Sequence, residues 1–396
     1  MNNSITSKII KTSEPSGKKV MLNTNAIQKA SCCFPNIVTC FFLILAFLSV
    51  LSSCKLFSHK KTSTPQQVIV FPAPPDTARF QYLTKITTSM DLGAGKNFFR
   101  EFILGSEKPS IMTKPYGIAI HNGKIYVCDM YGGPMEIIDL EKKKMNFFNP
   151  RGLGRLISPV NCFMDEKGYL YVADPGRVQI VVYDQNLKYV KSIGEKEKFK
   201  PSDVFVYHDK IYVANVGAGN ILVYNTDSIN KLLYSFPNAD SPVSAHLGLP
   251  ANITVGKDTL YAADFGYAMI KRYKIDGTYI DSIGSRGSYP GQFAKLKGIA
   301  VDKESNMYAV DTEFENVQMF NSKGQLLMPL AYHYNDGPGG LVLPAKVIVD
   351  YDNLKYFQKY VDPRFDLKFL VFVTSQYGPS LINVYGRVEP KGQGTK

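Results

Sequence analysis

The chain has 396 residues, a formal net charge of +12 and only six Cys. Disulfide scaffolds are small and dense in Cys, so that class is excluded. The basic excess points to anionic partners: lipid headgroups, acidic glycans, acidic proteins or nucleic acid.

In chain order, the first element is an apolar run from Ile37 to Val50, uncharged and preceded by Lys18, Lys19 and Lys29. A basic flank, a short apolar core and small residues before a cut site are the parts of a secretory signal. The core falls short of the roughly 20 residues that span a bilayer. It ends in Leu51-Ser52-Ser53-Cys54, which resembles the lipobox of bacterial lipoproteins. The resemblance implies removal of residues 1–53 as a signal peptide and attachment of diacylglycerol and a fatty acyl chain to Cys54. An uncleaved anchor with a chance Cys is the plain alternative, and Met21 is an alternative start. The expected location is the bacterial cell envelope, lipid-anchored. No acidic cluster follows Cys54, which favours the periplasm-facing side. Cleavage removes five Lys and one Glu, leaving 41 basic and 33 acidic residues and a net charge of +8. Cys32, Cys33 and Cys40 leave with the signal. Cys128 and Cys162 remain inside strand-like runs and are expected to be buried thiols; they fall in neighbouring copies, so a bridge between them is the alternative.

Residues 54–78 are polar and then rich in Pro (Pro65, Pro72, Pro74, Pro75), a composition that makes an extended tether. Folded structure is expected over 79–390, with a short tail at 391–396. Within it one unit recurs. A Pro stands three residues before an apolar strand at Pro115, Pro159, Pro201, Pro250 and Pro344, and Leu296 takes that place in the remaining copy. A second strand follows, aromatic at its start and small and polar at its end. Examples are Leu170-Tyr-Val-Ala-Asp174, Ile211-Tyr-Val-Ala-Asn215 and Met307-Tyr-Ala-Val-Asp311. A third strand ends in Tyr183, Tyr224, Tyr273, Phe320 or Tyr385. A fourth, more polar strand closes the unit.

Four short strands at a period in the forties are the signature of a propeller blade. The expectation is an all-β, six-bladed β-propeller. The last copy supplies three clear strands, and Arg79 to Ile86 is a spare strand at the front. Open edges invite aggregation, so this N-terminal strand is expected to close the last blade. The segment Gly284-Ser-Arg-Gly-Ser-Tyr-Pro-Gly291-Gln-Phe293, with Gly298-Ile-Ala-Val-Asp302, resembles the NHL repeat. Together with the lipobox, the chain resembles NHL-type propeller lipoproteins of Bacteroidota-like bacteria. The Asp or Asn ending each second strand fits capping of the next turn better than a ring of metal ligands, and the repeated Tyr fits blade packing.

Loops joining second to third strands, and each blade to the next, form the face where propellers usually meet ligands. Counting places Tyr131, Arg177, Phe265, Tyr267, Arg286 and Tyr377 there, as candidate ligand-binding residues. Tyr and Arg are the types enriched at interface hot spots. The bland alternative is ordinary loop residues on a Tyr-rich protein. No cofactor is expected besides the covalent lipid. The expected partners are the membrane, through that lipid, and an envelope protein or glycan. An exported lipoprotein seldom meets nucleic acid, so the RNA binding of some NHL domains is not expected here. The alternative function is a metal-assisted lyase or hydrolase using His246 and His333 with Asp336, although no close ligand spacing supports it. No nucleophile elbow or phosphate loop is present.

Overall fold

The computed structural model describes residues 68–93, 110–131, 135–194, 198–228, 231–331 and 337–392. The signal segment, Cys54, His333 and Asp336 lie outside the described residues.

The strands are β1 (Val70–Phe71) and β2 (Phe80–Ile86), then six sets. Blade 1 is β3 (Pro115–His121), β4 (Lys124–Asp129), β5 (Met135–Asp139) and β6 (Lys144–Phe148). Blade 2 is β7 (Asn161–Met164), β8 (Leu170–Asp174), β9 (Gln179–Tyr183) and β10 (Tyr189–Ile193). Blade 3 is β11 (Pro201–Tyr207), β12 (Lys210–Asn215), β13 (Asn220–Asn225) and β14 (Leu232–Phe236). Blade 4 is β15 (Pro250–Gly256), β16 (Thr259–Asp264), β17 (Met269–Lys274) and β18 (Tyr279–Ile283). Blade 5 is β19 (Leu296–Val301), β20 (Met307–Asp311), β21 (Asn316–Phe320) and β22 (Leu326–Leu330). The last set is β23 (Pro344–Asp350), β24 (Phe365–Ser375) and β25 (Ile382–Pro390). All pairings between these strands are antiparallel, and the six sheets form the ring of a six-bladed β-propeller.

The expected closure is present. β2 pairs with β25 from Phe80↔Arg387 to Ile86↔Ile382, making the outer strand of blade 6. β1 adds a fifth strand through Val70↔Gln81. Folded structure therefore begins inside the stretch read as tether. The reason is Phe71, which is buried and packs edge-on against Tyr385 with ring centroids 6.0 Å apart.

β-branched and aromatic residues alternate with tight turns, as pleated, half-buried strands require. The β3–β4 turn uses Asn122 and Gly123, both at positive φ, the pairing that a two-residue hairpin favours. Six apolar clusters fill the six blade interfaces. Second-strand tyrosines such as Tyr171, Tyr212 and Tyr308 are buried in them. Third-strand tyrosines have a further task. The hydroxyls of Tyr183 and Tyr273 donate to the carbonyls of Gly154 and Ala245, and Tyr385 donates to Gly339 O at 2.9 Å. Each pins the connection entering its own blade. Cys128 and Cys162 are free, buried thiols.

Two inner-strand positions demand glycine. A Cβ on Gly117 would stand 2.5 Å from Asn161 Cα, and one on Gly298 would stand 2.7 Å from Ala345 O. Neighbouring inner strands touch there, so the ring is narrow at that level.

Candidate functional site

Inner strands all begin at the same end of the ring, called here the upper end. The second-to-third-strand loops and the blade-to-blade connections share it. The recurring acid ties these two loop classes together. Asp174 accepts from Ile157 N at 2.7 Å and Ser158 N at 3.0 Å in the connection, and from Arg177 N at 3.1 Å in the loop. Asp264 does the same with Gly248 N at 2.8 Å and Gly266 N at 2.9 Å, and Asp311 with Ala294 N at 2.7 Å and Glu313 N at 2.9 Å. Asn215 holds Lys200 N at 2.8 Å. A carboxylate occupied by backbone donors fixes the residue that enters each inner strand. Four of the six ring-equivalent positions are therefore structural caps of this kind, and Asp129 is a fifth, accepting from Lys114 N and Tyr131 N, each at 2.9 Å; at the sixth, Ser375 Oγ accepts from Val342 N at 3.4 Å.

The third residue of each inner strand, counted from the Pro position, faces the axis. Around the ring these are Gly117, Asn161, Asp203, Asn252, Gly298 and Lys346. Lys346 Nζ lies 3.0 Å from Asp203 Oδ2, and both side chains are buried. They belong to blades 6 and 3, on opposite sides of the ring. Asn252 Nδ2 also donates to Asp203, and Ile253 N does so at 2.9 Å. Asn252 Oδ1 accepts from Ile299 N at 2.8 Å, while Asn161 Nδ2 donates to Ser202 O at 2.7 Å. Burial pushes the Asp203 carboxyl up, opposed chiefly by Lys346. Strands from five blades thus close the axis with a polar layer. Beneath it lies a cavity of about 230 Å³ lined mostly by apolar residues, including Ile120, Phe163, Phe205 and Val301.

Above the layer the axial mouth is basic and aromatic. Burial, and then Asp203, push the Tyr116 phenol up to about 12. Lys297 Nζ sits 5.3 Å from the centre of the Tyr116 ring. Burial holds the Lys297 ammonium below its usual range, with Lys114 and Lys295 adding to the effect. Lys114 Nζ lies 5.1 Å from the Tyr131 ring and 5.0 Å from the Tyr377 ring. Lys295 is paired with Glu313 at 2.7 Å, both exposed.

The sequence-derived candidates divide into two groups. Tyr131, Tyr267 and Tyr377 are exposed on the upper end, and Tyr131 and Tyr377 share Lys114. Tyr267 covers Lys271, whose Nζ is 4.7 Å from its ring. Arg177 and Arg286 are bound to backbone. Arg177 Nη1 donates to Leu153 O at 2.7 Å and to Arg155 O, and its Nε to Gln179 at 3.0 Å. Arg286 Nη2 donates to Gly266 O at 2.8 Å. Both therefore hold loops in place. Phe265 is only partly exposed, and its N–H donates to Leu249 O at 3.0 Å. Sequence reasoning missed Lys114, Tyr116, Lys297 and the axial layer. For Tyr116, Lys297 and the layer the signal was a polar residue at the second or third position of an otherwise apolar inner strand, and for Lys114 a Lys just before the Pro position, legible only once the six copies are aligned.

His246 Nε2 faces Ser241 O at 3.2 Å. Among the described residues no group of three His, Cys, Asp or Glu converges as metal ligands. A cleft of about 620 Å³ is on the lower end between blades 2 and 3, beside the Phe163 and Phe205 rings, whose centroids are 4.4 Å apart. Its buried carboxylate, Asp165, is occupied by Tyr169 N at 2.8 Å and the Tyr171 hydroxyl at 3.2 Å.

Fold and site define a six-bladed β-propeller with a plugged axis and a basic, aromatic mouth. No protein-family model matches the chain, and no curated protein matches it. Solved structures do. One, a structural genomics protein of unknown function from Bacteroides thetaiotaomicron, is 14% identical with a TM-score of 0.54, over 70% of each chain. A gluconolactonase from Xanthomonas campestris is 14% identical with a TM-score of 0.51, over 81% of this chain and 98% of that one. A streptogramin B lyase is 12% identical with a TM-score of 0.49, over 72% and 85%. At these identities the likeness is one of fold alone.

Proposed function

We propose that this protein is a lipid-anchored binding scaffold of the bacterial envelope, of NHL type, which holds a protein or glycan partner on its upper end. One observation carries the reading. Eighteen large apolar side chains are exposed among the described residues. Twelve lie in second-to-third-strand loops or blade connections, six lie on outer strands, and none lies in the turns of the lower end. Val243 at 89%, Tyr289 at 75% and Tyr131 at 73% exposure are examples. Exposed apolar side chains that favour the loops and connections over the lower turns suit an interaction surface on the upper end. The lipid on Cys54 and the tether after it would keep that surface near its partners.

The test is photo-crosslinking in the native envelope from Tyr267 and Tyr289, with Ile280 and Leu327 on outer strands as comparison. Adducts confined to the first pair support the reading, and equal adducts from both pairs would sink it. Loss of radiolabelled palmitate in Cys54→Ala supports the anchor; retention of the label refutes it.

A further inference from the structure

We propose that the axial mouth is a site for a carboxylate-bearing sugar, bound by the ammonium groups of Lys114 and Lys297 among Tyr116, Tyr131 and Tyr377. This deepens the scaffold reading and rests on it, by naming the partner's chemistry.

Lys114 stands between the Tyr131 and Tyr377 rings of blades 1 and 6, and Lys297 reaches from blade 5 to the Tyr116 ring of blade 1, with Lys295 adding to the charge. Glu313 compensates Lys295. Among the described residues the ammonium groups of Lys114 and Lys297 lie against tyrosine rings, and no ion pair with a carboxylate is formed by either ammonium group there. A half-buried, uncompensated cation is costly, and two together cost more by repulsion. An oxyanion held between them gains two charge-assisted hydrogen bonds and removes that cost.

Shape then limits the ligand. The Lys346–Asp203 pair and Asn252 close the axis just below, so only a small charged group can enter, and its bulk must rest on the upper end. Tyr131 and Tyr377 border the mouth with rings 73% and 48% exposed. Open aromatic faces pack against the C–H faces of a pyranose. A phosphate polymer needs a row of cations, and three neighbouring cations of the upper end are tied up. Arg177, Arg286 and Lys271 donate to backbone carbonyls. At the axis itself stand Lys114 and Lys297 among tyrosine rings, which suits a single carboxylate on a neutral frame.

The experiment is calorimetric titration of the detergent-solubilised full chain with tetragalacturonate, its fully methyl-esterified form, and inorganic phosphate. The acid form should bind, and the ester should bind about tenfold more weakly or worse. Lys297→Met and Lys114→Met should each weaken the acid form about tenfold with an unchanged melting temperature, and Tyr377→Ala should weaken acid and ester alike. The proposal is overturned if no tetragalacturonate binds, if the ester binds as well as the acid, if the lysine variants bind as before, or if phosphate matches the acid sugar. If crosslinking still confines partners to the upper end while tetragalacturonate fails, the sugar assignment alone falls. If crosslinking shows no preference for that end, the scaffold reading falls, whatever the titration gives.

Discussion

Lys346 and Asp203 meet across the axis from opposite blades, and neither has water to fall back on. Removing one partner of a buried pair strands a charge, at about 3–5 kcal/mol. Lys346→Met should therefore cost about that much in urea denaturation. The double variant Lys346→Met with Asp203→Asn should recover most of the loss, because it strands no charge and the new amide oxygen can still accept from Asn252 Nδ2 and Ile253 N; a double variant worse than the single one would refute the account. Glu136 is a second buried charge problem. Burial, then Asp129 beside it, push its carboxyl up to about 9, against about 4.3 in an unfolded chain. The folded state thus keeps a proton that the unfolded state loses, so stability falls as pH rises from about 4.5 to 9. Glu136→Gln should flatten that decline, measured as the urea midpoint at pH 6 and pH 8.5, and parallel declines in both proteins would contradict it. Neither residue stood out in the sequence. Lys346 reads as one more surface lysine until its register puts it on the axis.

At the scale of the element, strand identity was legible because each strand carries its own signal. Leu170-Tyr-Val-Ala-Asp174 combines a short apolar run, aromatic and β-branched residues and a terminal Asx cap, and these are local properties. The glycines of the inner strands were legible only as residues, since the demand for them comes from the next blade. Gly298→Ala should destabilise by about 1–3 kcal/mol, because its Cβ would meet the backbone of Ala345 and Lys346. A thermal melt unchanged from the parent would show that the blades separate easily there. Arg177 and Arg286 show the same boundary from the functional side. Type and loop position mark both as hot-spot candidates, but folding places loop carbonyls around their guanidinium groups.

For the whole molecule, ring closure depends on β2, which covers the outer edge of β25 and adds Phe80 and Leu83 to two blade interfaces. A chain lacking residues 68–86 should lose its single cooperative transition and aggregate through the bare edge. A soluble product with the parent's melting curve would mean that three strands suffice for blade 6. Six repeats, a short final copy and a spare leading strand specify this closure, and they were readable because repetition is written in order along the chain. So were the basic excess, the Asx caps and the buried Cys pair. What only the tertiary structure decided is which residues meet: the Lys346–Asp203 plug, the pairing of Lys114 with Tyr131 and Tyr377, and the placing of Lys297 over Tyr116. These contacts join residues from 17 to more than 260 positions apart. Their partners are set by the rotation from blade to blade, a three-dimensional quantity that no local pattern of side chains encodes.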